Sequence, residues 1–479
     1  MERTLNKETI NKAGETVKLC GWVNSVRSHG KILFIDIRDK SDIVQLVLTP
    51  TQANDEVYKL AKKLRPEWVI EITGNVSKRP PQMVNPKIET GAVEIKVQGL
   101  KVLSEAKTLP FSVESDGYEI SEEKRLKYRY LDLRRNRLKR NLKIRQEVNQ
   151  FIREFLIKKD FVEIETPILT KSTPEGARDF LVPSRLEEAK FYALPQSPQQ
   201  YKQLLMVSGI ERYFQIARCF RDEDPRADRQ AEFTQLDIEM SFASQNEILA
   251  LIEALFIELV KNLFPEKKIS KIPFPRLSYQ ETMEKYKTDK PDLRGDKKNP
   301  NELAFAFIVD FPMFEWQKEN PSAGSGRGRW DAVHHPFTRP QTEDIKKIKK
   351  EPGKILAYQY DFVLNGFEIG GGSLRTYKPE ILEAVFEVMG HTKNQIKEKF
   401  GHLLEAFKYG VPPHGGIAAG LDRILTILLA EKNIREVIAF PKTGDNRDLM
   451  LKAPSEVSSE QLKELGIRKA RSKTKKINA

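Results

Sequence analysis

The chain has 479 residues, of which 39% are hydrophobic and 31% charged, and this length predicts two to four domains because one hydrophobic core rarely grows so large. No apolar run reaches the roughly 18 residues of a membrane span, and the N-terminus lacks the apolar core of a secretory signal, so we expect a cytoplasmic protein. The formal net charge of +13 favours a nucleic acid as partner, although many soluble proteins are moderately basic without one.

The first hundred residues predict a small β-barrel. Five runs rich in β-branched and aromatic residues are separated by turn residues: Val17–Val23, Lys31–Asp39, Asp42–Leu48, Trp68–Ser77 and Ala92–Leu103. Between the third and fourth runs, Ala53–Leu64 has the apolar spacing of a helix. This order is typical of the OB-fold, a barrel that holds single-stranded nucleic acid.

The remaining chain predicts an α+β domain. A helical stripe that includes Ile144, Val148 and Ile152 is followed by a predicted strand, Phe161–Thr166, which ends before Pro167. We place the barrel at 1–104, a linker at 105–135, the large domain at 136–450 and an extension with a basic tail at 451–479. Within the large domain, residues 243–330 are expected to form only a few helices and loops.

A first hairpin combines charged residues with a phosphate-binding geometry. Tyr213–Arg221 and Glu232–Phe242 alternate as strands, which places Gln235, Asp237 and Glu239 on one polar face. The connecting loop contains Arg226 and Arg229, and guanidinium groups bind phosphates through paired hydrogen bonds. From these residues alone, a charged surface hairpin is an equally good interpretation.

A second hairpin is fixed by Asn365-Gly366, a strong two-residue turn signal. In the register that this turn predicts, Val363 opposes Glu368 and Asp361 opposes Gly370, so the two carboxylates lie roughly 7–8 Å apart. With phosphate oxygens between them, they could hold Mg²⁺, which prefers oxygen ligands. The alternative is that both carboxylates simply face solvent.

A third element leads from a glycine-rich strand into a helix at 415–430. Arg423 lies in the first turn of this helix, where a cation is disfavoured by the helix dipole. A bound anion would explain an arginine at this position. The sequence contains no Gly-x-x-x-x-Gly-Lys-Ser/Thr loop, so a nucleotide would be bound in another way.

Together these elements resemble the three signature motifs of class II aminoacyl-tRNA synthetases: the helix and strand before Pro167, the hairpin at Phe220–Glu223, and Gly420–Arg423. Further runs are similar to bacterial aspartyl-tRNA synthetases, namely Arg125–Arg134, Thr173–Asp179, Gln196–Gln199, His334–Phe337 and Phe440–Thr443. The resemblance covers nearly the whole chain. It implies an OB-fold anticodon domain, a catalytic domain built on an antiparallel sheet flanked by helices, and a homodimer.

The resemblance also implies a reaction and its residues. L-Aspartate and ATP would give aspartyl-adenylate, and the aspartyl group would pass to the 3′ end of tRNA. The implied catalytic residues are Arg221, Arg423 and Glu175. ATP would contact Arg221, Asp222, Glu223, Gln235, Glu368 and Arg423, with Mg²⁺ on Asp361 and Glu368. Aspartate would contact Ser197, Gln199, Lys202, Asp237, His334, His335 and Arg375. The anticodon would contact Arg27, His29, Phe34, Gln45 and Glu94.

The chain departs from the bacterial pattern in two places. Only about ninety residues separate the first hairpin from His334, where this family usually carries an inserted domain, so that domain is expected to be absent. Near the predicted anticodon site, the run of arginines usual in this family is thinned, with Ser25 and Val26 before Arg27. In the same barrel, His29 resembles the residue of relaxed enzymes that charge both tRNA-Asp and tRNA-Asn and that depend on a partner amidotransferase. The simpler interpretation is that His29 fills a turn position, because histidine tolerates a positive φ.

Two other functions compete with this interpretation. A non-catalytic tRNA-binding paralogue would keep the fold and lose the catalytic arginines and carboxylates, but Arg221, Asp361, Glu368 and Arg423 are all present. Asparaginyl- and lysyl-tRNA synthetases share the barrel and the catalytic fold. Lysine specificity would require an acidic pocket where Arg375 lies.

Overall fold

The computed structural model describes residues 1–51, 53–172, 176–224, 228–317 and 328–469. Two compact units form the chain, Met1–Ser112 and Val113–Ala479. Within the described ranges, no helix is both long and apolar enough to cross a membrane.

The first unit is the predicted barrel, closed in the strand order β1-β2-β3-β5-β4. Its elements are β1 (Thr16–His29), β2 (Ile32–Arg38), β3 (Ile43–Leu48), α1 (Asp55–Ala61), β4 (Val69–Lys78) and β5 (Val93–Ser104). Alternation along β2 buries Leu33, Ile35 and Ile37 in the barrel core. Helix α1 begins after Asn54, whose side chain accepts the backbone N–H of Glu56. Phe34 and Asp36 therefore lie on the outer face of the barrel.

The second unit consists of helices packed on a large sheet. Its helices are α2 (Glu122–Lys127), α3 (Arg129–Asp132), α4 (Asn136–Ile157), α5 (Gln199–Val207), α6 (Gln245–Leu263), α7 (Tyr279–Tyr286), α8 (Ile345–Lys350), α9 (Pro379–Val388), α10 (Lys393–Phe407), α11 (Leu421–Leu428) and α12 (Ser459–Glu464). Its strands are β6 (Val162–Glu163), β7 (Leu181–Pro183), β8 (Phe191–Ala193), β9 (Arg212–Phe220), β10 (Glu232–Ser241), β11 (Lys268–Ile269), β12 (Arg276–Ser278), β13 (Glu302–Leu303), β14 (Phe305–Val309), β15 (Phe314–Gln317), β16 (Arg329–Ala332), β17 (Gln359–Leu364), β18 (Phe367–Leu374) and β19 (His414–Gly420).

Eight of the described strands form the central sheet in the order β12-β14-β17-β18-β19-β10-β9-β6. The β12–β14 and β6–β9 pairs are parallel, and the others are antiparallel. Helices α4 and α6 cover one face, with Val148, Ile152 and Leu255 in the same core as Leu236 and Ile417. This burial leaves the opposite face of β10, β18 and β19 open to a cleft, and the predicted α+β fold is confirmed.

Two predicted elements differ from the structure. The strand predicted over Phe161–Thr166 is limited to β6, because Thr166 donates its backbone N–H and its hydroxyl to the side chain of Gln215. The region expected to contain only helices and loops supplies β12 and β14 to the central sheet. The reason is the apolar run at Phe305–Val309, in which Phe305 and Phe307 stack on Phe362 of β17. The described part of residues 243–330 therefore belongs to the core of the second unit.

Buried ion pairs fix the start of the second unit. Asp132 accepts hydrogen bonds from Arg125, Arg129 and Arg135, and its side chain is fully buried. Arg125 also donates to Glu436, with N···O distances of 2.9 and 2.7 Å. These bonds attach α2 and α3 to the segment after α11, close to the candidate site.

Candidate functional site

A cavity of about 470 Å³ opens over β10, β18 and β19 in the second unit. The central sheet brings residues of both predicted hairpins and of the glycine-rich strand-to-helix element to it, although these residues are up to about 200 positions apart in the sequence. Its lining includes Arg221, Gln235, Asp237, Glu368, Arg375 and Arg423. Strand pairing explains this convergence, since Asp237 of β10 lies opposite Ala418 of β19, which lies opposite Gly371 of β18.

Four charged side chains form the floor of the cleft. Lys202 Nζ lies 3.0 Å from Asp237 Oδ2 and 3.2 Å from Glu239 Oε2. Arg375 donates from Nε and Nη2 to the two oxygens of Glu239, at 2.9 and 3.0 Å. Each of the four side chains is at most 2% exposed, so the two cations and two anions balance one another away from water.

The two carboxylates of the floor respond differently to burial. Burial raises the pKa of Asp237, and Lys202 opposes this effect only in part. Burial would also raise the pKa of Glu239, but Arg375 and Lys202 outweigh it and lower that pKa to about 2. Asp237 Oδ1 is buried and has no hydrogen-bond partner among the described residues. An incoming ammonium group would satisfy this oxygen and favour its ionised form.

Two neutral histidines cover the floor. Burial lowers the pKa of His334 to about 3, and the charges of Arg375, Arg221 and Lys202 act in the same direction. The pKa of His335 also lies well below its usual value through burial, His334 and Arg375. His335 Nε2 lies 2.8 Å from Arg375 Nη1. Because this imidazole is neutral, its nitrogen can accept from the guanidinium and aim it into the cleft.

Predicted Ser197 and Gln199 lie at the start of α5. The Gln199 side chain donates to Gln203 at 3.0 Å, and its backbone N–H donates to Ser197 Oγ at 3.3 Å. The neighbouring Gln196 holds Ala177 through two hydrogen bonds, which ties the 176–179 segment to the rim of the cleft. Predicted Glu175 falls outside the described residues.

The opposite end of the cleft carries two arginines. The Arg221 guanidinium lies 5.1 Å from the ring centre of Phe233, a distance that allows a planar ligand to stack nearby. Arg423 contacts Asp228 at 3.0 Å and donates to the backbone carbonyl of Glu368, while its Nε is buried without a described partner. Predicted Asp222 and Glu223 pair with Arg178 and Arg229 at this rim, and Gln235 accepts from Cys219 at 3.3 Å. This end is suited to anionic groups.

The second hairpin has a different register from the predicted one. Val363 opposes Glu368 as expected, but Asp361 opposes Gly371 instead of Gly370, because a β-bulge leaves Ile369 without a partner in the ladder. Burial and the charge of Glu368 raise the pKa of Asp361 well above its usual value. The two carboxylates therefore remain close enough to interact, as the prediction required.

Among the described residues, no third histidine, cysteine, aspartate or glutamate completes a metal site with this carboxylate pair. No described group of three histidine, cysteine, aspartate or glutamate side chains could hold a metal ion. A divalent cation here would need further oxygen atoms from a ligand such as a phosphate chain. A Cβ atom added to Gly371 would lie 3.2 Å from Asp361 Oδ1 and 3.4 Å from His334 Nε2, so this glycine keeps space beside the pair.

The predicted anticodon residues share the outer face of the barrel in the first unit. Arg27 opposes Phe34, Asp36 opposes Gln45, and Glu94 lies on the adjoining strand. Asp36 binds the guanidinium of Arg27 at 2.8 Å, so this cation is held beside Phe34. His29 ends β1 and is exposed. The turn interpretation of His29 is wrong, because His29 pairs as a strand residue and Gly30 takes the positive φ of 58°.

The sequence analysis assigned no role to two residues that lie in or near these sites, Glu239 and Arg79. Glu239 was placed on the polar face of β10 but given no role, and its partner Arg375 lies 136 residues away. Arg79 follows β4, and its side chain is only 6% exposed. Its Nε and Nη2 have no described hydrogen-bond partner, and the nearest carboxylate, Glu94, lies at 3.8 Å. The position of Arg79 before Pro80, at the end of a strand, was the only sequence signal.

Comparisons with protein families match both units. Residues 121–444 match the model described as tRNA synthetases class II (D, K and N). Residues 17–103 match the OB-fold nucleic acid binding domain.

Similar proteins extend over nearly the whole chain. The aspartate–tRNA(Asp/Asn) ligase of Dehalococcoides mccartyi strain CBDB1 is 40% identical over 593 aligned positions, which cover 96% of this chain and 98% of the relative. The aspartate–tRNA ligase of Staphylococcus carnosus is 39% identical, with the same two coverages. Since 593 positions exceed the 479 residues of this chain, part of the relative lies opposite gaps. This difference supports the expected loss of an inserted segment.

Solved structures share the fold without that segment. Asparaginyl-tRNA synthetase from Pyrococcus horikoshii, complexed with asparaginyl-adenylate, superposes with a TM-score of 0.73 at 23% identity and covers 92% of this chain and 98% of its own. A putative aspartyl-tRNA synthetase from Leishmania major gives a TM-score of 0.71 at 22% identity, over 92% of this chain and 94% of its own. At these identities, the similarity shows the fold alone.

Proposed function

The chain belongs to the class II tRNA synthetases of the aspartate, lysine and asparagine group, and on this premise we propose that it is an aspartate–tRNA ligase. It activates L-aspartate with ATP to give aspartyl-adenylate and pyrophosphate. It then transfers the aspartyl group to the 3′ end of tRNA. ATP and tRNA as substrates would place the enzyme in the cytoplasm.

The charged side chains on the floor of the cleft are the main support for this proposal. Arg375 and Lys202 are the buried cations that a side-chain carboxylate needs, and the unpartnered Oδ1 of Asp237 is suited to the ammonium group of the same amino acid. A lysine side chain would add a third cation to this floor. An asparagine amide would leave the cations incompletely paired in a site without water, and such mismatches can reject a substrate by roughly 10⁴–10⁵.

Adenylate formation needs charge placement and no protein nucleophile. The α-carboxylate of aspartate attacks the α-phosphorus of ATP, the bond to the β-phosphate oxygen breaks, and pyrophosphate leaves. We assign Arg221 to the α-phosphate and Arg423, with its free buried Nε, to the far phosphates. In the second step, a terminal ribose hydroxyl of tRNA attacks the carbonyl carbon and AMP leaves.

Asp361 and Glu368 fit a Mg²⁺ that arrives with ATP. Burial raises the pKa of Asp361, and the charge of Glu368 raises it further, so a divalent cation beside the two carboxylates would favour the ionised form of Asp361. When bound, such an ion neutralises phosphate charge. Asp361 and Glu368 would hold the ion, and Gly371 beside them has no side chain of its own that would crowd Asp361 Oδ1 and His334 Nε2.

A homodimer is part of the proposal. Large apolar side chains after α4 are 41–57% exposed in the described chain: Ile157, Val162, Ile168, Leu169, Leu181, Phe191 and Tyr192. The segments that carry these side chains adjoin one another, since β7 pairs with β8 and Thr170 pairs with Ala193. Exposed apolar surface of this extent is typical of a subunit interface, and a second copy of the chain is its expected partner. Sedimentation as a monomer at micromolar concentration would contradict this.

The choice of tRNA is the finest part of the proposal. We expect the enzyme to charge tRNA-Asp and also tRNA-Asn, with a partner amidotransferase that converts the mischarged product to asparaginyl-tRNA. The exposed position of His29 beside Arg27 and Phe34 supports a role in reading the anticodon. The two relatives described above differ in this property by name: the Dehalococcoides mccartyi protein is an aspartate–tRNA(Asp/Asn) ligase, and the Staphylococcus carnosus protein is an aspartate–tRNA ligase.

Pyrophosphate exchange into ATP tests the function directly. The purified protein should catalyse exchange with L-aspartate and far less with asparagine or lysine. Arg375→Gln should remove the aspartate-dependent exchange, whereas Arg339→Gln should retain it, because Arg339 stacks on Tyr358 and Tyr377 away from the cleft floor. Exchange that is equal with asparagine would refute the assignment of the floor. No exchange with any of the three amino acids would favour a binding protein without catalysis.

A further inference from the structure

The segment Phe440–Thr443 lies beside the cleft, and the reaction described above does not use it. The backbone N–H of Lys442 donates to the side chain of Gln230 at 3.1 Å, and Gln230 lines the cleft. Asn446 accepts from the backbone N–H of Ala231 at 3.3 Å. The segment is therefore attached to the base of the loop between β9 and β10.

The segment is also held from its other side. The carbonyl of Ala439 accepts from Arg129 at 3.0 Å, and Arg129 is 2% exposed. Pro441 and Thr443 are buried, and the N–H of Thr443 donates to the carbonyl of Arg447 at 2.9 Å. This part of the chain is thus fixed by contacts on both flanks of Phe440.

Within this fixed segment, the Phe440 side chain is 56% exposed. No described aromatic ring packs against it, although the residues on both sides are anchored. An exposed phenyl ring on a fixed backbone is costly to hydrate and loses little conformational freedom when it binds a flat partner. Lys442 and Arg447 lie nearby in the sequence and Arg229 lines the cleft, and each of these cations also contacts a carboxylate, at Asp448, Asp445 and Glu223 respectively. An aromatic ring among cations is the combination that binds single-stranded nucleic acid.

We propose that Phe440 stacks on an unpaired base in the single-stranded 3′ end of the tRNA substrate. This inference rests on the proposed function, because the terminal ribose of tRNA must reach the adenylate in the cleft. The strand that carries this ribose passes the rim, where its bases have no pairing partners and can stack on an aromatic ring. Phe440 then acts as a binding residue that holds the 3′ end during transfer.

Phe440→Ala tests the proposal in two reactions of the same enzyme. Aminoacylation should show a KM for tRNA raised by about 10-fold, the loss expected for one base–aromatic stack. Aspartate-dependent pyrophosphate exchange needs no tRNA and should stay unchanged. Phe440→Trp should restore the native KM, and Phe440→Leu should not. If the wild-type protein also shows no aspartate-dependent pyrophosphate exchange, the proposed function is wrong, and this result does not depend on Phe440.

A shortened tRNA identifies the partner. When the unpaired 3′ nucleotides are removed, wild type and Phe440→Ala should bind the tRNA equally, since the contact of Phe440 is gone in both. Tyr409→Ala is the matched control, because Tyr409 is 78% exposed at the end of α10 and should not affect tRNA binding. The proposal is overturned if Phe440→Ala weakens full-length and shortened tRNA alike, if Phe440→Leu is as good as Phe440→Trp, or if the variant instead dissociates a dimer in sedimentation.

Discussion

On the floor of the cleft, Glu239 determines what Arg375 can offer a ligand. It accepts from Nε and Nη2 of the guanidinium, and His335 Nε2 and Ser373 Oγ both lie within hydrogen-bond distance of Nη1, so one N–H of Nη2 remains for a ligand. A carboxylate ligand therefore meets an arginine that is already oriented and has lost little freedom to bind. Alternation along β10 predicted that Glu239 faces the cleft. Its pairing with Arg375 could not be predicted, because it depends on how strands far apart in the sequence neighbour one another.

Asp361→Asn should stabilise the ligand-free protein at pH 8 and remove adenylate formation. The pKa of Asp361 is raised in the folded state by burial and by Glu368. Protonation of this group thus favours folding, an advantage that is complete below the unfolded pKa of about 3.9 and is lost as the pH rises through the higher folded pKa. At pH 8 the native carboxylate is destabilising, and an amide of the same shape avoids this cost.

Thermal unfolding at two pH values measures this effect. The variant should gain about 1 kcal/mol at pH 8, within the usual range for relief of a strained functional site, and clearly less at pH 4. Glu383→Gln, at an exposed position of α9, should change stability at neither pH. Equal or lower stability of Asp361→Asn at pH 8 would mean that the carboxylate pair is not strained.

At the scale of elements, the hairpin of β17 and β18 is clamped by a distant part of the chain. Asn365 Oδ1 accepts from the N–H of Ala304 at 2.8 Å, and its Nδ2 donates to the carbonyl of Glu302 at 2.9 Å. The turn type followed from Asn365-Gly366, whose φ angles are 51° and 86°. The β-bulge at Ile369 could not be predicted, because it arises where Gly370 approaches β19 too closely for a side chain.

Substitutions of Asn365 should distinguish the contribution of its two side-chain hydrogen bonds from the contribution of its positive φ angle. Asn365→Gly keeps the positive φ but loses both hydrogen bonds, and Asn365→Ala loses the bonds and also strains the backbone. We expect Asn365→Ala to cost about 2–3 kcal/mol in urea unfolding and Asn365→Gly about 1–2 kcal/mol. Pyrophosphate exchange should fall in the same order, because Glu368 lies two residues beyond the turn.

Asn365→Asp serves as the control, since it retains the acceptor for Ala304 and should be the mildest of the three. If Asn365→Gly is as stable as wild type, the hydrogen bonds to the 302–304 segment do not hold the hairpin. If exchange is unchanged in all three variants, the position of Glu368 does not depend on the clamp.

At the scale of the whole molecule, the two units differ in how much of them follows from sequence. Period-two alternation located all five barrel strands, and the bounds of β2 to β5 were predicted to within one residue. Strand β1, however, continues six residues beyond its predicted end at Val23, past a β-bulge between Val23 and Ser25. In the second unit, β14 is an unbroken apolar run, which does not distinguish a buried strand from a short helix. Short sequence motifs predicted which residues form the site. Their positions relative to one another depend on the pairing of strands that are distant in the sequence.

The choice of tRNA involves the whole chain, because the predicted anticodon residues lie in the first unit and the candidate active site lies in the second. The tRNAs for aspartate and asparagine differ at one anticodon base, so we expect a few contacts near His29 to decide between them. We expect the native enzyme to aspartylate both tRNAs with kcat/KM values within about 10-fold of each other, a difference of about 1.4 kcal/mol. His29→Leu should restore a preference for tRNA-Asp, since leucine cannot hydrogen-bond to the base that differs.

Aminoacylation of both tRNAs by wild type and variant measures this choice, and aspartate-dependent pyrophosphate exchange should be the same for both proteins. Lys31→Leu is the matched control, because Lys31 is an exposed cation in the turn that follows His29, and its loss should weaken the binding of both tRNAs equally. A native preference of a thousandfold or more, about 4 kcal/mol, would refute relaxed specificity. If both tRNAs are charged comparably but His29→Leu leaves the ratio unchanged, the choice lies elsewhere on the barrel face, and Arg79 with its unpaired buried nitrogens is the next residue to test.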